Sequence, residues 1–247
     1  TQHLKNLSNN GNEVCFCTIG DASTSEGHFW ETINAAGVLQ VPLAVFVWDD
    51  GYGISVPKKY QTTKASISDA LKGFQKKEGT NGIDIYKLKG WDYAGMCEIL
   101  EPAIQKIRDT HIPAVFHVEE ITQPQGHSTS GSHERYKDNE RLQWEKEWDG
   151  LKQMREWIIT NVLAEAEELN NIEENAASFA KESRRKAWEK YIDPIKALVT
   201  QAINAIKPSE QINPAIKKLA DELGATREPM RRDVMKTLAT VLGLAEN

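Results

Sequence analysis

The chain has 247 residues, 27% of them charged and 40% hydrophobic, with a formal net charge of −6. That length can bury a substantial core in one or two domains, and the composition is that of an ordinary globular protein. The acidic balance lacks the concentrated basic face that nucleic acid requires, and no apolar run approaches the length that spans a bilayer. Three cysteines do not make a disulfide framework. Cys15 and Cys17 alternate on one strand-like run and are expected to share a face as buried thiols. With no signal peptide in view, a reducing cytoplasm is the expected compartment. The sequence begins at Thr1 rather than methionine, which reads as a processed chain or an excised piece.

In chain order, Glu13 to Ile19 is rich in apolar and β-branched residues and predicts a first strand. Gly20 allows a tight turn. Ser23, Thr24 and Ser25 are competent N-caps, and Glu26 would sit in the first helical turn, where its charge suits the dipole. A helix is predicted over Ser25 to Leu39, through Phe29, Ile33, Ala36 and Val38, with Pro42 after its end. Leu43 to Trp48 is nearly all apolar, as for a strand covered on both faces. A short helix over Ile67 to Phe74, a strand over Ile83 to Leu88, a helix over Tyr93 to Asp109 and a strand over Ala114 to Glu119 follow. This βαβαβαβ order predicts a mainly parallel sheet flanked by helices. From about Asp138 the character changes, so residues 1–138 read as an α/β domain and 139–247 as a mostly helical C-terminal region. Within it, Asn170-Asn171 is expected to break the helical pattern and Pro194 to kink or restart a helix. Shorter helices are expected over Pro214 to Leu223 and Glu228 to Leu242.

Two aspartates carry the chemistry. Asp21 ends the first apolar run and Asp50 ends the second, 29 positions later, with one helix-length stretch between them. A strand, a crossover helix and a parallel strand bring both strand ends to one sheet edge, where ligands of such sheets bind. Alone, Asp21 reads equally as a turn or N-cap aspartate. The neighbouring Asp49-Asp50 pair, costly after a buried strand, favours a hard divalent cation, which takes one or two protein carboxylates plus phosphate oxygens. A helix opening beside Asp21 would offer N–H groups to an anion, so the pair points to a metal-bridged diphosphate site. Gly51 and Gly53 permit a bend that turns the Tyr52 carbonyl inward. His127 and Ser128 lie in the polar stretch GHSTSGSHERYK, which reads equally as a mobile loop or as anion-contacting, proton-transferring machinery. No GxSxG elbow, GxGxxG fingerprint or GxxxxGK[ST] loop is present.

The strings GDASTSEGHFWETINAAGV, DDGYGISVP and GHSTSGSHERYK resemble the alpha subunit of the thiamine-diphosphate-dependent decarboxylating component of 2-oxoacid dehydrogenase complexes, over about residues 12 to 140. The resemblance implies a thiamine-diphosphate-binding fold, N-terminally incomplete here. It also implies oxidative decarboxylation of pyruvate or a branched-chain 2-oxo acid, with acyl transfer to the lipoyl domain of an acyltransferase component. By resemblance, Asp21, Asp50 and the Tyr52 carbonyl would hold Mg2+. The Ala22 and Ser23 N–H groups would hold the diphosphate, and Ile54 would prop the bent cofactor. His127 would be the catalytic histidine, with Ser128 beside it at a position that is phosphorylated in mitochondrial relatives. The family carries Gly-Asp-Gly and Asn-Asn where this chain has Gly20-Asp21-Ala22 and Asp49-Asp50, and often an arginine where Ile121 to Gln125 stand. The activating glutamate comes from a pyrimidine-binding domain, on a beta subunit or a fused half, so a dimer or heterotetramer is implied and negligible turnover by these residues alone. The rivals are a transketolase-like or acetoin-cleaving enzyme, and a non-catalytic assembly module with a vestigial site.

Overall fold

The structure, a computed structural model, describes residues 11–127 and 132–245. Its first compact unit runs to Ala164 and its second from Glu165.

In the first unit, β1 (Cys15–Gly20), β2 (Leu43–Trp48), β6 (Ala114–Glu119) and β5 (Asp84–Lys89) form a four-stranded sheet in the order β1-β2-β6-β5, every neighbouring pair parallel. The predicted parallel α/β architecture is therefore present. Between the strands run α1 (Gly27–Leu39), the single turn α2 (Ile67–Ala70) and α3 (Tyr93–Thr110). Side chains of successive strand residues point to opposite faces. On one face Val45, Val47 and Val115 pack with Phe29 and Ile33 of α1 and with Ile67 and Leu71. On the other, Ala44, Phe116 and Val118 pack with Ala103 and Ile107 of α3. Helices on both faces bury β6 almost completely. A small antiparallel hairpin, β3 (Tyr52–Gly53) with β4 (Val56–Pro57), stands beyond the end of β2.

Three local expectations are corrected. Cys15 and Cys17 do share a face with Leu43 and Val45, but both are exposed, because β1 is an edge strand. Trp48, at the end of β2, is also exposed rather than covered on both faces. Glu26 is not in the first turn of α1. It is the extended N-cap residue, preceded by a 3-10 turn over Ala22–Ser25, and no serine or threonine there caps a helix through its side chain.

Two further helices, α4 (Asn139–Glu147) and α5 (Gly150–Thr160), belong to the first unit, so the change of composition at Asp138 falls inside it. Asp138 and Asp149 cap them, each accepting from N–H groups of the first turn. In the second unit α6 (Ala166–Ile206), α7 (Pro214–Ala225) and α8 (Arg231–Ala245) pack together around Val199, Ala202, Leu223 and Val234, and around Ile206, Ile216, Ala220 and Val241. The expected break at Asn170-Asn171 and restart at Pro194 do not occur, since α6 runs through both. Asparagine costs an interior helix position only about 0.7 kcal/mol. Glu167 and Glu168 in the first turn suit the dipole, and buried Ile192 and Ile195 hold the chain on either side of the proline. No helix among the described residues is long and apolar enough to cross a membrane.

Candidate functional site

Strand pairing continues past the strand ends and assembles the site. The Asp21 N–H donates to the Trp48 carbonyl at 3.0 Å, and the Asp49 N–H donates to the Val118 carbonyl at 2.9 Å. The Ile121 N–H then reaches the Asp49 carbonyl at 3.1 Å. Three strand ends are thereby locked side by side. They floor a cavity of about 610 Å³ at the carboxyl edge of the sheet, lined by Asp21, Ala22, Ser23, Asp50, Tyr52, Ile54 and His127. All the expected site residues that the structure describes thus meet in one cavity. Ser128 lies outside the described residues.

Asp21 is 5% exposed and opens the Ala22–Ser25 turn, yet its side chain caps nothing. Its Oδ2 is buried without a hydrogen-bond partner among the described residues. Burial first, and then the charges of Asp49 and Asp50, push its carboxyl from the ordinary 3.8 up to about 7. Asp50 is likewise pushed up by burial, against the pull of the Tyr52 N–H, which donates to its Oδ1 at 3.1 Å. Two acidic groups that resist ionising beside each other, one with an orphaned oxygen, are a donor set of the kind that could hold a hard divalent cation.

The reading of Asp49-Asp50 as two carboxylates in need of a cation is corrected for Asp49. Its side chain turns from the cavity into the protein, accepting from Lys58 Nζ at 2.7 Å, His117 Nε2 at 2.8 Å and the Gly51 N–H at 2.8 Å. Burial alone would raise its carboxyl, but the hydrogen bonds from His117 and Lys58 outweigh it and hold the group below the usual carboxylate range. Asp49, His117 and Glu119 lie close enough together to hold an ion, but Lys58 already supplies the positive charge at Asp49.

Behind the Asp50–Tyr52 loop stands α4. Lys137 Nζ is bonded to both carboxylate oxygens of Glu145 at 2.8 and 3.0 Å, and both side chains are 1% exposed. Arg141 bonds Glu145 through Nε at 2.9 Å and reaches the Asp50 carbonyl through a terminal nitrogen at 2.7 Å. Lys137 and Arg141 also lie over the Tyr52 ring, 5.4 and 5.6 Å from its centroid. Where the resemblance leads one to expect an arginine, Ile121, Thr122 and Gln123 line the cavity instead, and the cations behind it are Lys137, just before α4, and Arg141, on it.

Residues 4–196 match the family described as "Dehydrogenase E1 component". The chain belongs to that family. This E1 chain is 25% identical over 175 residues to the pyruvate dehydrogenase E1 component subunit alpha of Rickettsia bellii, covering 71% of this chain and 51% of that protein. It is 26% identical over 161 residues to the corresponding subunit of Porphyra purpurea, covering 65% and 44%. To the mitochondrial 2-oxoisovalerate dehydrogenase subunit alpha of Mus musculus it is 24% identical over 205 residues, covering 82% and 41%. The chain spans about half the length of the curated relatives it matches. The resemblance to the alpha component of thiamine-diphosphate-dependent 2-oxoacid dehydrogenases is therefore borne out at the level of family.

Sequence reasoning missed several wall residues of this E1 cavity. Gln61 donates from Nε2 to the Ala22 carbonyl at 3.0 Å, and its Oε1 is buried without a partner among the described residues. A Cβ at Gly53 would stand 2.3 Å from that Oε1, so a larger residue there would displace the Gln61 amide from the cavity wall. Nothing in the polar run around Gln61 marks it out. Trp48 and Ile121 to Gln123, by contrast, lie just where strand ends meet the cavity and could have been found from that placement. Gly126 has φ +67°, and a Cβ there would come within 2.4 Å of the His133 side chain, so the approach to His127 depends on glycine.

Ile54 is the strained residue of the site. It is the first of two residues joining β3 to β4, with φ +59°, a conformation that a β-branched side chain rarely adopts. Such strain costs about 1–3 kcal/mol and persists where surrounding structure enforces it. The Ile54→Gly substitution is expected to raise stability by about 1 kcal/mol, from relief of that strain. It should also weaken cofactor binding, because an apolar wall of the cavity is lost. Urea unfolding and calorimetry measure the two, and a variant that is less stable would contradict the strain assignment.

Proposed function

We propose that the whole protein carries out the oxidative decarboxylation of a 2-oxo acid of the pyruvate or branched-chain class, using thiamine diphosphate and Mg2+. This chain would be the diphosphate- and metal-binding part of the alpha component. The observation that carries the reading is the orphaned, buried Asp21 oxygen beside Asp50 at adjacent strand ends, in a cavity that also holds Ile54 and His127. Asp21, Asp50 and the Tyr52 carbonyl would hold the metal, and the main-chain N–H groups of Ala22 and Ser23 the diphosphate. Ile54 would brace the cofactor from its strained turn. His127, exposed at the cavity, would hold or pass a proton at the substrate's carbonyl oxygen. When bound, the cofactor supplies the carbanion chemistry that a 2-oxo acid needs to lose carbon dioxide. The activating domain would come from a beta subunit or a fused beta-like half, in a dimer or heterotetramer. The acyl group would pass to the lipoyl domain of an acyltransferase component. Three free thiols, all exposed, suit a reducing compartment such as the cytoplasm.

Calorimetry of the full-length protein with thiamine diphosphate and Mg2+ tests the reading. Metal-dependent binding, with turnover of 2-oxo acids rather than ketose phosphates, is the expected result. No binding would leave an assembly module with a vestigial site, and ketose phosphate turnover would indicate a transketolase-like enzyme. The Asp50→Asn variant probes the charge balance. Asparagine keeps an oxygen ligand and removes one negative charge beside the diphosphate, so cofactor retention should persist with a laxer metal requirement. Retention that collapses with asparagine would contradict that account.

A further inference from the structure

Lys58, Asp49, His117, Ser68 and Ser66 form a connected chain just behind the cation cavity. Lys58 Nζ lies 2.7 Å and His117 Nε2 2.8 Å from Asp49 Oδ2. Ser68 Oγ lies 2.9 Å from His117 Nδ1, and Ser66 Oγ 3.2 Å from Ser68 Oγ. Asp49, Ser66, Ser68 and His117 are all buried. The proton directions follow from the acceptors. An ionised carboxylate only accepts, so Nε2–H donates to Asp49. On its other side the ring meets the Ser68 hydroxyl through Nδ1, and Ser68 meets Ser66. A serine, a histidine and an aspartate in contact have the makings of a nucleophile, but Ser68 is 2% exposed and cannot meet a substrate. The chain instead ends on the residue next to Asp50. Lys58 also ties the same loop through its main chain, its N–H donating to the Gly51 carbonyl at 2.9 Å. Without these partners a third carboxylate would stand among the strand ends that carry Asp21 and Asp50.

We propose that Lys58 and His117 are positioning residues of the metal–diphosphate site. Lys58 cancels the charge of Asp49. His117, aligned by Ser68, holds that carboxylate turned away, so that the cation cavity presents two acidic groups and not three. The inference rests on the site reading above and adds to it two residues that never touch the cofactor. Its effect has an unusual sign. One uncancelled charge on the residue next to Asp50, at an effective dielectric of about 20, changes affinity by about tenfold or more, favouring a bare cation and opposing a diphosphate. Loss of fold would instead weaken both.

The test uses the full-length protein, with thiamine diphosphate at saturating Mg2+ followed by calorimetry, and Mn2+ alone followed by electron paramagnetic resonance. Lys58→Met is expected to weaken thiamine diphosphate binding about tenfold while tightening Mn2+. The double variant Asp49→Asn with Lys58→Met, which leaves no charge to cancel and no unpaired carboxylate to disturb folding, should return both affinities to near those of the unmodified protein. His117→Gln, which keeps a donor toward Asp49, should bind as the unmodified protein does, whereas His117→Leu should follow Lys58→Met. Cofactor binding that stays weak in the double variant, or Mn2+ and cofactor affinities that fall together, would overturn the proposal. If the unmodified protein binds no thiamine diphosphate, the site reading itself fails and takes this inference with it. If it binds but Lys58→Met changes nothing, only the inference fails.

Discussion

Replacing Asp21 with alanine should reduce metal-dependent thiamine diphosphate binding by about 100-fold or more, since removing even a residue that only supports a metal ligand costs about 10–100-fold. The same position should act in the opposite direction on the unliganded fold. Its carboxyl titrates at about 7 in the folded chain, against the ordinary 3.8. Well below about pH 4 the group is protonated whether the chain is folded or not, and carries no penalty. As pH rises, the unfolded chain ionises first, so stability falls until about pH 7 and then levels off. At full strength a shift of that size is worth about 4 kcal/mol. The cavity opens to water, and screening leaves about 1–2 kcal/mol. The isosteric Asp21→Asn variant should therefore be the more stable protein at pH 8 and should lose part of the pH slope. Mg2+ with thiamine diphosphate should remove the slope from the unmodified protein as well. Thermal unfolding between pH 4 and pH 8, with and without ligands, measures all three. An unliganded Asp21→Asn variant less stable than the unmodified protein at pH 8 would show that this carboxylate is satisfied by the protein alone.

The Glu145→Ala substitution should destabilise the first unit by about 3–5 kcal/mol. Both partners of the Lys137–Glu145 pair are 1% exposed, and without the carboxylate Lys137 keeps, among the described residues, the Gln123 carbonyl at 3.1 Å and the face of the Tyr52 ring. An ammonium left buried without a counter-charge is far costlier than the pair is stabilising. The double replacement Lys137→Met with Glu145→Leu should recover most of the loss, because neither charge then needs solvation. Binding should not recover with it. Arg141 Nε is held by the same Glu145 at 2.9 Å, and Arg141 braces the Asp50 carbonyl from behind. Urea unfolding and calorimetry on the two variants separate the effects. Equal losses of stability in both would mean that packing, not charge, dominates at this position.

What the sequence made legible and what it hid follow from the range of the forces involved. The strand–helix–strand order and the meeting of Asp21 with Asp50 depend on local periodicity and the handed crossover, and both could be read from one chain. The state of Asp49 could not. It depends on His117, 68 positions away in sequence, and on Lys58 folding back across a hairpin. The exposure of Cys15 and Cys17 turned on β1 lying at the sheet edge, which alternation along a strand does not reveal. Asn170-Asn171 looked like a terminus because asparagine favours helix ends. Inside α6 its small propensity cost is spread over 41 residues of continuous helix. His117 is a similar case. It sits in the most enclosed strand, and nothing in its flanking residues distinguishes an inward histidine from an inward phenylalanine.

The long helix α6 is anchored unevenly. Every one of its buried residues falls from Ile192 onward, and the turns before that point carry surface pairs such as Arg185 with Glu182 and Glu189. Surface pairs of this kind contribute a few tenths of a kcal/mol each and weaken as salt rises. Rising salt would therefore loosen the helix before Ile192 more than after it. One continuous rod thus behaves as two materials, a stiff root set among α7 and α8 and a stem whose order responds to ionic strength.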